Sequence, residues 1–192
     1  MSTTFAAEAA SRVRGGVVQL RVGDTSGGAG VVWPGGVVVT NAHVATERRV
    51  TVRLPDGSYV EGETVWRDPA RDLAAVAAPG LSGLLPVEPG DADRVRPGSL
   101  VFAIGHPWGV RDAVSVGVFH RVGPIAPGMG VPEPVRRQAW VQAAVRLAPG
   151  NSGGPIADAD GRVIGVSAMI VGGLALAVPA LEVEALWRGT RA

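Results

Sequence analysis

Apolar and polar residues alternate in short stretches along this chain. Val18, Leu20 and Val22 are separated by Gln19 and Arg21, and Val50, Val52 and Leu54 by Thr51 and Arg53. Successive side chains of an extended strand point to opposite faces, so this period-two pattern predicts half-buried β-strands. Val37-Val38-Val39 reads as a further, wholly apolar strand. The longest uncharged run, Val163 to Leu181, has nearly the length of a membrane span, but Gly172-Gly173, Pro179 and Ser167 interrupt it. It predicts two buried strands joined by a turn.

Turn signals recur at Gly27-Gly28, Pro34-Gly35-Gly36, Pro55-Asp56-Gly57, Pro79-Gly80, Pro97-Gly98, Pro127-Gly128 and Asp160-Gly161. They cut the chain into about a dozen short segments, the punctuation of a β sandwich or barrel. Helical spacing is confined to Thr4–Val13 and Pro179–Trp187, where Leu186 follows Leu181 and Val183 around one face. The expectation is an all-β body with short helices at the termini. Glycine and proline thicken between Pro79 and Pro97, a weak boundary that could join two barrels, and Gly123 to Val135 reads as a surface loop. No internal repeat of fixed period is evident.

With 192 residues the chain has the size of one domain. A net charge of +1, from 18 basic and 17 acidic residues spread along the chain, offers no footprint for nucleic acid. Cysteine is absent, which excludes disulfides, thiolate metal sites and a cysteine nucleophile but identifies no compartment. Met1-Ser2-Thr3-Thr4-Phe5 has neither a basic nor an apolar signal region. A cytoplasmic address is expected if Met1 is the natural start, and a periplasmic or secreted one if a signal was removed.

Chemistry concentrates in Gly150-Asn151-Ser152-Gly153-Gly154-Pro155, where a serine stands on a tight glycine turn. A serine nucleophile needs a base, a group that orients the base, and donors for the developing oxyanion. His43, in Thr40-Asn41-Ala42-His43-Val44, follows an apolar strand and is the best base candidate. A histidine standing alone is usually structural or solvated. Asp72 opens the small apolar strand Asp72-Leu73-Ala74-Ala75-Val76 and can orient that histidine, whereas Asp68 precedes Pro69 in an evident loop.

Chain order separates the folds that could use these residues. Gly150-Asn151-Ser152-Gly153-Gly154 also fits the Gly-x-Ser-x-Gly elbow of α/β-hydrolases, whose order is serine, acid, histidine. No histidine follows Ser152, the last being His120, so that reading fails. A subtilisin-type order needs an aspartate before His43, and only Asp24, in a glycine-rich turn, precedes it. The order His43, Asp72, Ser152 remains.

In that order the chain resembles the chymotrypsin-fold serine proteases, and among them the bacterial HtrA/Deg group. The resemblance is carried by Gly28-Ala29-Gly30-Val31-Val32, Thr40-Asn41-Ala42-His43-Val44, Asp72-Leu73-Ala74, Gly105-His106-Pro107-Trp108-Gly109, Val114-Ser115-Val116-Gly117, Gly150-Asn151-Ser152-Gly153-Gly154-Pro155 and Leu176-Ala177-Val178-Pro179. It implies a single protease domain of two six-stranded β barrels, about residues 12–85 and 95–180, closed by a helix over 180–192. It implies a His43, Asp72, Ser152 triad in the cleft, an oxyanion hole from the N–H groups of Gly150 and Ser152, and no metal or cofactor. The implied partner is unfolded or flexible polypeptide.

Leu147 should wall the specificity pocket, with Ala168, Met169 and Ile170 along one side and Ala175 near the position where many relatives carry glycine. No acidic residue stands there, so small or medium aliphatic P1 residues are expected; Arg146 offers the competing expectation of an acidic P1. Family members usually carry PDZ domains, whereas this sequence ends at Arg191-Ala192, so no PDZ regulation is expected. The Gly23–Gly28 loop is too short for a regulatory insertion. The N-terminal arm has Phe5 as its only aromatic, so a homotrimer is compatible with the sequence but not indicated by it. His106 and His120 are expected to be structural or exposed. A latent, chaperone-like peptide binder and an acyl esterase on the same fold are the rival readings.

Overall fold

The computed structural model describes residues 5–23 and 27–190; the Phe5 side chain, Asp24 and the middle of the Gly23–Gly28 loop lie outside the described residues. Six strands form a first closed antiparallel barrel: β1 (Val17–Arg21), β2 (Gly28–Trp33), β3 (Val37–Thr40), β4 (Arg49–Arg53), β5 (Tyr59–Asp68) and β6 (Leu73–Ala77). Six more form a second: β7 (Leu100–Gly105), β8 (Ala113–Gly123), β9 (Trp140–Ala144), β10 (Pro155–Asp158), β11 (Val163–Val171) and β12 (Leu174–Pro179). The strand order β1-β2-β3-β6-β5-β4 recurs as β7-β8-β9-β12-β11-β10, so the two barrels share one topology.

Alternation decides which side chains fill which core. In the first barrel Val18, Leu20, Val32, Val38, Val50, Val52, Ala74 and Val76 point inward. In the second, Val101, Ala103, Phe119, Val141, Ile156, Ile164 and Ala177 do the same. A third core lies between the barrels: Val31, Trp33, Val37, Val39 and Leu73 from one side meet Phe102, Ile104, Trp140, Val166 and Leu176 from the other. Strands that serve both an interior and this seam have no polar face, which explains why β2 and β3 are buried at every position. The same demand explains the uncharged run, which forms β11 and β12 with a turn at Gly172-Gly173 between them. No helix among the described residues is long and apolar enough to cross a membrane.

Helix α1 (Phe5–Arg14) lays Ala9, Ala10 and Val13 onto the seam, and α3 (Ala180–Gly189) adds Ala180 and Val183. The glycine- and proline-rich connection between the barrels is a strap. Val87 N–H donates to the Val32 carbonyl of the first barrel, and Gly90 N–H to the Val163 carbonyl of the second. The segment expected to be a plain surface loop is more ordered: Ile125 is buried in the seam, and a short helix, α2 (Glu133–Arg137), begins within it. Ile125 N–H donates to the Arg136 carbonyl, and Trp140 Nε1–H to the Val135 carbonyl.

Truncating Ile104, 1 % exposed in the seam, should destabilise the fold by about 2–5 kcal/mol. Val116 on β8 is 51 % exposed, and Val116→Ala should stay within about 0.5 kcal/mol. Urea unfolding of the two variants checks the contrast; equal losses would mean that the barrels do not depend on their common core.

Candidate active site

His43 sits just beyond the end of β3, and the backbone around it is held from two sides. Arg67 on β5 grips the Ala42 carbonyl with both Nε and Nη2, at 3.1 and 2.9 Å. The buried Asn41 donates from Nδ2 to the Asp72 carbonyl at 2.9 Å. Asp72, immediately before β6, adopts φ 54, a left-handed conformation that side chains other than glycine seldom take. That twist turns its carboxylate back onto His43. Oδ1 accepts the His43 backbone N–H at 3.0 Å, and Oδ2 lies 2.7 Å from Nδ1 of the ring. The carboxylate thereby fixes the proton on Nδ1 and leaves Nε2 as the acceptor.

Asp68 has a different task. Its carboxylate accepts the Ala70 and Arg71 backbone N–H groups and pairs with the Arg71 guanidinium at 2.9 Å. Arg71 reaches on to Glu182 of α3 at 3.2 Å, so Asp68 orders the loop that presents Asp72.

Ser152 lies between the barrels. Its carbonyl accepts the Ala29 N–H of β2 at 2.7 Å, while Gly153 N–H donates to Ser167 of β11 and Ser167 N–H returns a bond to Gly154, both at 2.8 Å. This approach admits no side chain: a Cβ on Gly153 would enter the Ala29 carbonyl and the Thr40 hydroxyl, and one on Gly154 the Ile104 carbonyl. His43 and Ser152 line one cleft of about 330 Å³ with Gly27, Val44 and Gly150. No hydrogen bond yet joins the ring to the Ser152 hydroxyl among the described residues, as is common before substrate seats.

The loop ahead of Ser152 is held by its carbonyls. Pro149 C=O accepts the Trp108 N–H at 3.0 Å, and Gly150 C=O accepts the His106 N–H at 3.1 Å. A trans peptide points its N–H opposite its carbonyl, so Gly150 N–H faces away from Trp108. Neither Gly150 N–H nor Ser152 N–H donates to any described protein group, whereas Asn151, Gly153 and Gly154 N–H all do. Two neighbouring unpaired amides beside a serine form a ready site for a negative oxygen. Gly150 is at φ +103, and a Cβ there would meet the His106 carbonyl.

A pocket of about 320 Å³ opens on the other side of Ser152, lined by Leu147, Ala148, Ser167, Ala168, Met169 and Ile170 among others. Four of the five expected specificity residues are therefore together. Ala175 is not with them: it is fully buried and faces the core of the second barrel. Arg146 is exposed and does not line the pocket. His120 is exposed, whereas His106 is 4 % exposed and accepts the Asp112 N–H at Nδ1. Burial pushes the His106 pKa below its ordinary 6.5, against the pull of the Asp112 carboxylate.

Sequence reasoning missed the supports: Arg67, the Asn41 amide, and the Trp108 N–H in its tight turn at φ 49. Asn41 and Trp108 stood inside quoted motifs, but Arg67 had no local signal.

The model of the trypsin-like peptidase domain family matches residues 28–166. HhoB of Synechocystis sp. (strain ATCC 27184 / PCC 6803 / Kazusa), assigned as a serine protease, is 40 % identical over 75 % of this chain and 35 % of its own length. The mitochondrial serine protease HTRA2 of Bos taurus is 36 % identical over 86 % of this chain and 37 % of its own. A DegP-like protein of Pseudomonas fulva, assigned as a periplasmic serine endoprotease, is 31 % identical over 88 % of this chain and 35 % of its own. The chain thus spans little more than a third of these relatives. Among solved structures, the HtrA-type protease AlgW with a decapeptide superposes with a TM-score of 0.79 at 27 % identity, covering 92 % of this chain and 65 % of that one.

Burial of neutral His106 makes stability depend on pH. Unfolding returns the ring to its ordinary value of 6.5, so the unfolded chain binds the proton more readily and stability is lost as pH falls below that value. His106→Asn keeps an acceptor for the Asp112 N–H but cannot titrate. Urea unfolding at about pH 7.5 and about pH 5 should show a smaller loss in the variant; an identical loss would mean that His106 carries none of the dependence.

Proposed function

The chain belongs to the trypsin-like peptidase domain family, and from that membership together with its cleft geometry we propose a serine endopeptidase in which Ser152 is the nucleophile, His43 the base and Asp72 its orienting acid. The observation that carries the reading is the Asp72-held His43 sharing one cleft with Ser152, under two unpaired amides.

Ser152 Oγ attacks the scissile carbonyl while His43 Nε2 takes its proton. The carbonyl oxygen becomes an oxyanion against the N–H groups of Gly150 and Ser152. Asp72 keeps the imidazole in the right tautomer and stabilises the imidazolium. The ring then gives the proton to the departing amine, the C–N bond breaks, and an acyl-enzyme remains. Water, deprotonated by His43, attacks the acyl carbon and releases the acid, regenerating Ser152.

The P1 side chain enters the Leu147–Ile170 pocket, whose lining has no carboxylate to pair with Lys or Arg. Small or medium aliphatic residues fit it. Flexible polypeptide is the substrate class, in keeping with the decapeptide held by the structural relative. A periplasmic site of action agrees with the naming of the DegP-like relative. The latent-binder reading has no support, because the Pro149 carbonyl is already turned toward Trp108.

A fluorophosphonate should label Ser152, and Ser152→Ala should lose labelling and casein cleavage while keeping its circular dichroism. Asp72→Asn should lower kcat by about 10⁴, and Gly150→Ala by about 10² or more through displacement of one oxyanion donor. Peptides with Ala, Val or Leu at P1 should be cut well ahead of those with Lys or Arg. Folded protein that neither takes the label nor cuts peptide would refute the reading.

A further inference from the structure

A second cavity, of about 410 Å³, adjoins the cleft and is lined by Gln19, Arg21, Arg53, Tyr59, His106 and Trp108 among others. It shares Gly27, Pro149 and Gly150 with the cleft that holds His43 and Ser152. The P1 pocket shares only Pro149 with it, its Leu147 and Ser167–Ile170 walls lying on the acyl side of Ser152. A polypeptide with its scissile carbonyl at the Gly150 and Ser152 amides and its P1 side chain among those walls leaves through the cleft past Gly27, into the second cavity. Three extended residues span about 10 Å, and the two cavities meet at Gly27, Pro149 and Gly150.

The chemistry of this cavity is cationic and unsatisfied. Arg21 and Arg53 form no ion pair with any carboxylate among the described residues. Arg53 Nε is enclosed without a hydrogen-bond partner. The Arg53 guanidinium lies over the Tyr59 ring, 5.1 Å from its centroid, which fixes its plane while leaving the fork free. Asp112 does not neutralise the site, since its carboxylate is shared by Arg14 and Arg111 at 3.6 and 3.9 Å. A guanidinium N–H without an acceptor is unfavourable where it is withdrawn from water, and a carboxylate accepts from the two parallel N–H groups of a guanidinium fork.

We propose that this cavity is a subsite for an acidic side chain on the leaving-group segment, an Asp or Glu within three residues after the scissile bond, recognised by Arg53 and Arg21. The assignment rests on the endopeptidase reading, which supplies the direction of the chain through the cleft. It gives the enzyme two unlike selection points, an apolar one before the cut and an anionic one after it.

Matched quenched peptides that differ only at P1′, P2′ or P3′ test the proposal. At one of these positions Asp or Glu should raise kcat/KM about tenfold over Ala, Lys should lower it, and added salt should shrink the difference. Arg53→Met and Arg21→Gln should each bring the Asp-to-Ala ratio toward one. Arg21 is exposed, so the second variant decides the matter if the first fails to fold. A flat profile in enzyme that cuts the neutral peptide, or a preference that survives both substitutions, overturns the subsite. Binding of the same peptides to Ser152→Ala, read by fluorescence anisotropy, gives the ratio without turnover. Absence of fluorophosphonate labelling would sink the endopeptidase reading, while that binding ratio would still decide for or against the acidic site.

Discussion

One backbone hydrogen bond between the barrels, from Ala29 N–H to the Ser152 carbonyl at 2.7 Å, is the constraint on which the cleft shared by His43 and Ser152 depends. It brings the turn before β10 against the start of β2, so Ser152 of the second barrel lines one cleft with His43 of the first. The contact requires backbone against backbone. Gly28 and Gly153 both lie where a Cβ would strike the opposing chain, and Thr40 closes the corner by donating its hydroxyl to the Ala29 carbonyl. Gly28 and Gly153 thus let the two backbones meet at this point of the seam.

Around that point the seam core sets the distance between the barrels, and the strap from β6 to β7 holds it by bonding to both sides. Strain is placed where function needs a side chain redirected. Asp72 and Trp108 both take positive φ, the first to fold its carboxylate back on His43 and the second to offer its N–H to Pro149. Their neighbours hold them there: Asn41 grips the Asp72 carbonyl and Asp68 orders the approach, while His106 binds the carbonyl of Gly150. The loop ahead of Ser152 is therefore shaped by a segment far from it in sequence. The same segment contributes His106 and Trp108 to the arginine-lined cavity, so one loop borders both the cleft and that cavity.

Much of the fold was legible. Alternation at Val18–Val22 and Val50–Leu54, and glycine and proline at the turns, located strands because each reports a local requirement of extended chain. The two terminal helices were legible for the same reason. Ile125 was not: a buried residue in a loop rich in proline and glycine has no periodic neighbours to betray it. Nor was the identical topology of the two barrels, because a shared strand order leaves no repeat in side chains that pack different surroundings.

At the site, the sequence by itself determined the candidate chemistry, since only a serine on a glycine turn, with a histidine and an aspartate ahead of it in that order, remained after other arrangements failed. The family resemblance named Leu147 and Ala168–Ile170 beside one pocket, but it also put Ala175 there, whereas that side chain is buried in the core of the second barrel. Only the tertiary structure decided that Asp72 takes a left-handed backbone to reach the ring, that the Gly150 and Ser152 amides stay unpaired, and that Arg21 and Arg53 share a cavity beside them. Each of these depends on the distance and direction between groups remote along the chain, which closure of the barrels fixes and local residue preference does not.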